Sequence, residues 1–252
     1  MVKSLFDLTG MNAFVTGTSG GLGRAMAIAL AEAGASVALV SRTGSEETAG
    51  IIRGFGGRAE DIPADLSRPE EAERAWNQAV DAFGRIDILV NNAGIIRRTP
   101  AADHSREDWE AVLALNLNTV FILSQLAGKH MIKNGYGKII NIASMLSFQG
   151  GINVPGYAAS KHGVAGLTKA LANEWAGKGI NVNAIAPGYM ETNNTAPIRA
   201  DEQRYRSISE RIPAGRWGVP DDLKGPVVFL ASRASDYVHG HILCVDGGWM
   251  AR

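Results

Sequence analysis

Ser144, Tyr157 and Lys161 are the residues best equipped for chemistry, and they share one run, SMLSFQGGINVPGYAASK. Pro155 suits the first turn of a helix, where a missing N–H costs nothing, and AASKHGVAGLTKALANEWA continues that helix. Tyr157 and Lys161 are then i and i+4 and share a face. A phenol beside a fixed ammonium is an acid–base device. Tyrosine titrates near ~10, so work near neutrality needs a shift of roughly 3 units, about 4 kcal/mol. A unit charge at ~4 Å supplies about 4 kcal/mol at an effective dielectric of ~20. One lysine is enough in principle. Alone, Y-x-x-x-K also fits an ordinary surface helix, so its weight comes from the elements that must position it.

The chain has 252 residues, 46% of them hydrophobic and 20% charged, which suits one large α/β domain or two small ones with a substantial core. Its 25 basic and 25 acidic residues cancel, which argues against the broad basic face of a nucleic-acid or membrane-surface binder. A local basic pocket for a small acidic substrate stays open. Cys244 is the only cysteine, so neither an intramolecular disulfide nor a cysteine-based zinc cluster is expected, and no metal site is read. The N-terminal run lacks the apolar centre of a signal peptide, and no apolar run approaches a membrane span. The cytoplasm is the expected compartment.

Strand-like apolar runs at 12–17, 36–41, 86–94, 137–144, 180–188 and 241–246 alternate with helical stretches, and a short strand lies within GRAEDIPADLS. Helices are expected over 22–34, 45–56, 69–84, 105–135 and 220–232, besides the tyrosine helix; the long one opens on Ser105 in a capping-box-like S-R-E-D. Seven strands with helices between them imply a mainly parallel, doubly wound α/β sheet. Ligands in such sheets lie beyond the carboxyl ends of the strands. The glycine turn at 17–23, Asn91–Gly94, Ser144 and Pro187–Gly188 should therefore meet along one edge.

The turn Thr16-Gly17-Thr18-Ser19-Gly20-Gly21-Leu22-Gly23 sits between the first strand and first helix. Glycines let backbone approach a pyrophosphate, and the helix N-terminus offers free N–H groups. This T-G-x3-G-x-G turn, with NNAG at 91–94 and YAASK at 157–161, resembles the short-chain dehydrogenase/reductase family from Thr16 to about Asp246. The resemblance implies a single Rossmann-fold domain over residues 1–252 and an NAD(P)-dependent oxidoreductase acting on CH–OH groups. It implies a catalytic tetrad of Asn116, Ser144, Tyr157 and Lys161, with Asn116 stabilising a kink in the long helix and holding a relay water. It also implies cofactor contacts from Thr16, Gly17, Ser19, Gly21, Leu22, Gly23, Asp65, Leu66, Asn92, Ala93, Gly94, Tyr157, Lys161, Pro187, Gly188 and Thr192. A homotetramer built on the long helices and the C-terminal strand region is the assembly it implies.

Further stretches, NNAGIIRR, NAIAPGYMETNNT, RIPAGRWG and VDGGWMAR, resemble the sugar-acid dehydrogenases of that family. These imply interconversion of a C5 ketone and its alcohol on a six-carbon acid in uronate breakdown. Oxidation at C3 of a deoxy sugar acid, oxidation of gluconate at C5 and reduction of a 3-oxoacyl group are the alternatives, and a non-catalytic cofactor-binding regulator is the rival of another class. An acidic substrate needs a counter-charge: Arg97 and Arg98 follow NNAG, and an arginine fork holds a carboxylate bidentately. Met145, Gln149, Asn193 and Asn194, with Arg206, are further substrate candidates beside Ser144. The polar segment 189–215 is expected to be a substrate lid.

The second strand ends in Ser41-Arg42, where an NAD-binding chain would carry a carboxylate for the ribose 2′-OH. Serine and guanidinium suit a 2′-phosphate and favour NADP(H), although the most similar family members are usually NAD-linked. Arg42→Ala is expected to lower kcat/KM for NADPH by about tenfold or more relative to NADH. A strong NADH preference shared by wild type and Arg42→Ala overturns the phosphate reading.

Overall fold

The computed structural model describes residues 2–252. Apolar runs buried on both faces become strands of one parallel sheet. Its strands are β1 (Asn12–Thr16), β2 (Ser36–Ser41), β3 (Ala59–Pro63), β4 (Ile88–Asn91), β5 (Gly137–Ile142), β6 (Ile180–Pro187) and β7 (Ile242–Val245). Their order is β3-β2-β1-β4-β5-β6-β7, with every neighbouring pair parallel. The order reverses between β1 and β4, which opens a crevice at their carboxyl ends.

Helices cover both faces. On one side Met26 and Leu30 of helix α1 (Gly21–Glu32) pack with Val227 and Leu230 near the C-terminus. On the other, Trp76 of a proline-started helix, Pro69–Phe83, packs with Leu123, Leu171 and Trp175. Gly128 lets the long helix approach the tyrosine helix: a Cβ there would stand 2.6 Å from the Trp175 ring. That contact sets where the tyrosine helix, Pro155–Trp175, lies on the sheet.

The long helical run begins as expected, with the Ser105 hydroxyl accepting from the Asp108 N–H. It is not one uniform α-helix. After Arg106–Leu113 it makes a π-turn over Ala114–Asn118, then resumes as Thr119–Asn134. Side chains account for the break. The Thr119 hydroxyl reaches the Ala114 and Leu66 carbonyls, and Asn116 turns inward, fully buried. This run also corrects the reading that nothing approaches a membrane span. Arg106–Asn134 holds an 18-residue window of mean hydropathy 1.5, long and apolar enough by composition to cross a membrane. Its apolar residues do not form the uninterrupted stretch the eye looks for. Leu123, Ala127 and Met131 instead face the core described above.

The segment 189–215 is more ordered than a polar connection suggests. It folds into a short helix, Ala196–Arg199, and a longer one, Glu202–Arg211, whose first turn is capped by Asp201 accepting from the Arg204 N–H. Ile198, Ile208 and Ile212 anchor it against Met145, Trp217 and Trp249. A small apolar cluster ties this segment to the loop after β5 and to the chain's C-terminal turn.

Candidate active site

The site starts from a close approach of two strand ends. The Thr16 hydroxyl accepts the Asn92 and Ala93 N–H groups at 2.9 and 2.8 Å, and the Asn92 amide donates back to the Thr16 carbonyl at 2.8 Å. Glycine is required beside this junction. A Cβ at Gly23 would stand 2.1 Å from the Gly17 carbonyl oxygen and 2.5 Å from the Asn92 amide nitrogen. The turn is then pinned by Arg24, which donates to the Ser19 carbonyl at 2.7 Å and pairs with Glu47. The result is a bare glycine cradle at the start of α1, suited to a pyrophosphate.

Gly17, Ser19, Gly21, Leu22 and Gly23 line a cleft whose opposite wall is Asn92, Ala93 and Gly94, with Thr192 closing one side. The cleft continues past Ser19 to Arg42, Asp65 and Leu66. Two residues expected to touch a cofactor are occupied otherwise. Thr16 is 2% exposed and its hydroxyl serves the strand junction. Ser41 faces the cleft, but its hydroxyl donates to the Gly44 carbonyl at 2.8 Å and joins a buried chain through Ser45 to Thr18. Exposed Arg42, with Thr43 next to it, is therefore the cationic group that lines this end of the cleft. The Asp65 carboxyl is held below its usual range, chiefly by the Ser67 hydroxyl and to a lesser degree by the Arg42 charge. Pro187 is buried at the end of β6, and Gly188 faces a second cavity rather than the cleft. Among the described residues no cluster of His, Cys, Asp or Glu is fit to hold a metal.

Tyr157 lines both spaces: the cleft, together with Lys161, and the second cavity, together with Ser144. Ser144 accepts the Leu146 N–H at 3.1 Å and also bonds the Tyr157 side chain. Burial pushes the phenol above its ordinary value, opposed by the Ser144 bond and, more weakly, by the Arg98 charge. The phenol is thus protonated at neutral pH. Lys161 is buried, donates to the Ile142 carbonyl at 2.6 Å and stands 5.6 Å from the centre of the Tyr157 ring. Burial pushes its ammonium down to about 8. Asn116 does not line either space. Its amide accepts the Ile95 N–H and donates to the Ile95 carbonyl, both at 2.9 Å, fixing the loop just past NNAG.

The second cavity, about 430 Å³, separates the two loop arginines. Arg97 turns away from it: its guanidinium pairs with Asp108 at 3.0 Å beside the cofactor cleft, so it is not the substrate counter-charge expected of it. Arg98 lines the cavity and donates to the Asn194 carbonyl at 2.9 Å. Met145 and Gln149 also line it, the Gln149 amide oxygen accepting the Trp249 indole N–H at 3.0 Å. Asn193 belongs instead to the cleft wall. Arg206 faces solvent, whereas Arg204 and Arg211 of the same helix face the cavity, a choice that sequence reading missed. Their three- and four-residue spacing with Ser207 and Ile208 was the available signal.

Residues 17–250 match a family model described as Enoyl-(Acyl carrier protein) reductase. The 2-dehydro-3-deoxy-D-gluconate 5-dehydrogenase of Escherichia coli K12 is 56% identical over 253 residues, covering 100% of both chains. The protein of that name from Bacillus subtilis 168 is 58% identical, covering 98% of this chain and 97% of its own. A solved structure from Agrobacterium tumefaciens, provisionally described as 2-deoxy-D-gluconate 3-dehydrogenase with bound NADP, superposes with a TM-score of 0.93. It shares 55% identity and covers 98% of this chain and 99% of its own. A match that runs from the glycine cradle to the C-terminal cavity wall, and relatives matched end to end, show that the chain belongs to the short-chain dehydrogenase/reductase family of oxidoreductases.

Proposed function

We propose that this chain is a cytoplasmic NAD(P)H-dependent 2-dehydro-3-deoxy-D-gluconate 5-dehydrogenase, interconverting a C5 ketone and its alcohol on a sugar acid in uronate breakdown. The observation that carries the reading is Tyr157, which stands in the wall shared by a glycine-cradled cleft and a cavity whose charged lining residues are all arginines. The names of the two 56–58% identical relatives supply the sugar acid. NADP(H) is the favoured cofactor, because Arg42 flanks the far end of the cleft and the Agrobacterium structure is described with NADP. When bound, the nicotinamide supplies or accepts the hydride.

The protein's own part is protonic and positional. In ketone reduction the neutral Tyr157 phenol donates its proton to the oxygen that gains negative charge. The Ser144 oxygen accepts the Leu146 N–H, and its hydroxyl, which bonds the Tyr157 side chain, turns its proton to the same oxygen when substrate binds. Lys161, anchored on Ile142, reaches the cleft as the ribose-holding cation. Asn116 acts through Ile95, fixing the loop that carries Arg98. Arg98 is the first group to hold the substrate carboxylate. The assembly is a homotetramer, supported by the half-exposed Trp109, Phe121 and Ile132 along the long helix. Light scattering should give the mass of four chains.

Turnover of purified 2-dehydro-3-deoxy-D-gluconate, set against gluconate and 2-deoxy-D-gluconate, tests the substrate. It should be the fastest of the three, and Tyr157→Phe should lower its kcat by about 10²–10⁴-fold. Faster turnover of either rival reassigns the sugar acid; an unchanged rate in Tyr157→Phe removes the proton-donor role.

The buried lysine makes a separate prediction. Its folded-state value of about 8 lies below its ordinary 10.5, so between these values the unfolded chain binds more protons. Stability from this group therefore rises with pH through that window. Urea unfolding at pH 7 and pH 9.5 should show wild type gaining stability relative to Lys161→Met at the higher pH. Parallel pH dependence in both proteins rejects the burial argument.

A further inference from the structure

The charge pattern of the second cavity goes beyond one loop arginine. Arg98, Arg204 and Arg211 line it, and no Asp or Glu does. None of the three has a carboxylate within ion-pair range among the described residues, whereas Arg24, Arg53, Arg74, Arg97 and Arg216 all do. The Arg211 guanidinium carbon lies over the Trp249 ring, 3.9 Å from its centre, as part of the wall. Arg204 has no such partner. Its charge, after burial, helps hold the Arg98 guanidinium below its usual value, which places two like charges across one small space. Such a pair raises the energy of the empty site, and an anion between the two removes the repulsion.

Local structure fixes the backbone at Arg204. Asp201 caps its N–H at 3.0 Å, and Ile208, four residues on, is buried against the Met145–Trp217–Trp249 cluster. Arg204 therefore shares the inward face of helix Glu202–Arg211 with Ile208. Opposite it, Arg98 is tied to the same segment through the Asn194 carbonyl. We propose that Arg204 is the second arm of a carboxylate clamp: Arg98 and Arg204 grip the acid end of the substrate from two sides, and this pair selects sugar acids over neutral sugars of equal length. The inference rests on the sugar-acid reading above. It deepens that reading by assigning the acid's recognition to the helix Glu202–Arg211 as well as to the loop after β4.

Isothermal titration of D-gluconate and of neutral D-glucitol into the NADPH-loaded enzyme separates the two ideas, because it needs no turnover. Wild type should bind the acid at least about tenfold more tightly than the polyol. Arg204→Gln should lower that preference at least about fivefold, towards what Arg98 alone provides, while leaving glucitol affinity unchanged, and Arg204→Lys should restore part of it. An acid preference undiminished in Arg204→Gln, or equal losses for both ligands, overturns the clamp. If the clamp passes while 2-dehydro-3-deoxy-D-gluconate is not turned over, only the proposed substrate falls.

Discussion

Everything functional here depends on one backbone junction, the Thr16 hydroxyl held between two consecutive N–H groups at the end of β4. A parallel sheet with its order reversed between β1 and β4 leaves a gap at their carboxyl ends. The junction keeps that gap narrow at its base, and Gly17 and Gly23 keep it empty of side chains. A threonine hydroxyl or a glycine hydrogen would matter little elsewhere. Here they decide whether backbone can come close to a ligand.

The same economy governs the proton donor. From the sequence alone a lysine should lower the Tyr157 phenol, yet burial outweighs nearby charge and raises it. Lys161 is itself strained by burial and leans on a backbone carbonyl. A raised phenol is the better-protonated acid, which suits reduction of a ketone. Oxidation asks the opposite of the same group, so it must draw on charge that arrives with the ligands.

Much of this was legible in the sequence, for definite reasons. The glycine turn, NNAG and Y-x-x-x-K sit where strands and helices meet, and strand–helix alternation dictates which edge they share. Ser105 announced its helix because a cap is local. What failed depends on distant partners or on facing. Arg97 and Arg98 are neighbours along one loop, yet one meets Asp108 and the other the cavity. Arg204 and Arg206 are two residues apart on a helix, so they point to nearly opposite sides, and only the former reaches the site. Ser41 looked free for a phosphate because Ser45 and Thr18, which engage it, come together only in the folded chain.

The β1–β4 junction also constrains how the chain can be made. Ala13 pairs with Ile88, so one whole edge of β1 waits for its partner while some seventy intervening residues are synthesised. β2 and β3 can join the other edge sooner, because they follow directly in the chain. Until Asn92 and Ala93 have emerged, the Thr16 hydroxyl lacks the pair of N–H groups it holds, and the floor of the cleft does not exist. A nascent chain therefore acquires its nucleotide-shaped opening in one step, late in the first half of translation, when an exposed strand edge is finally covered.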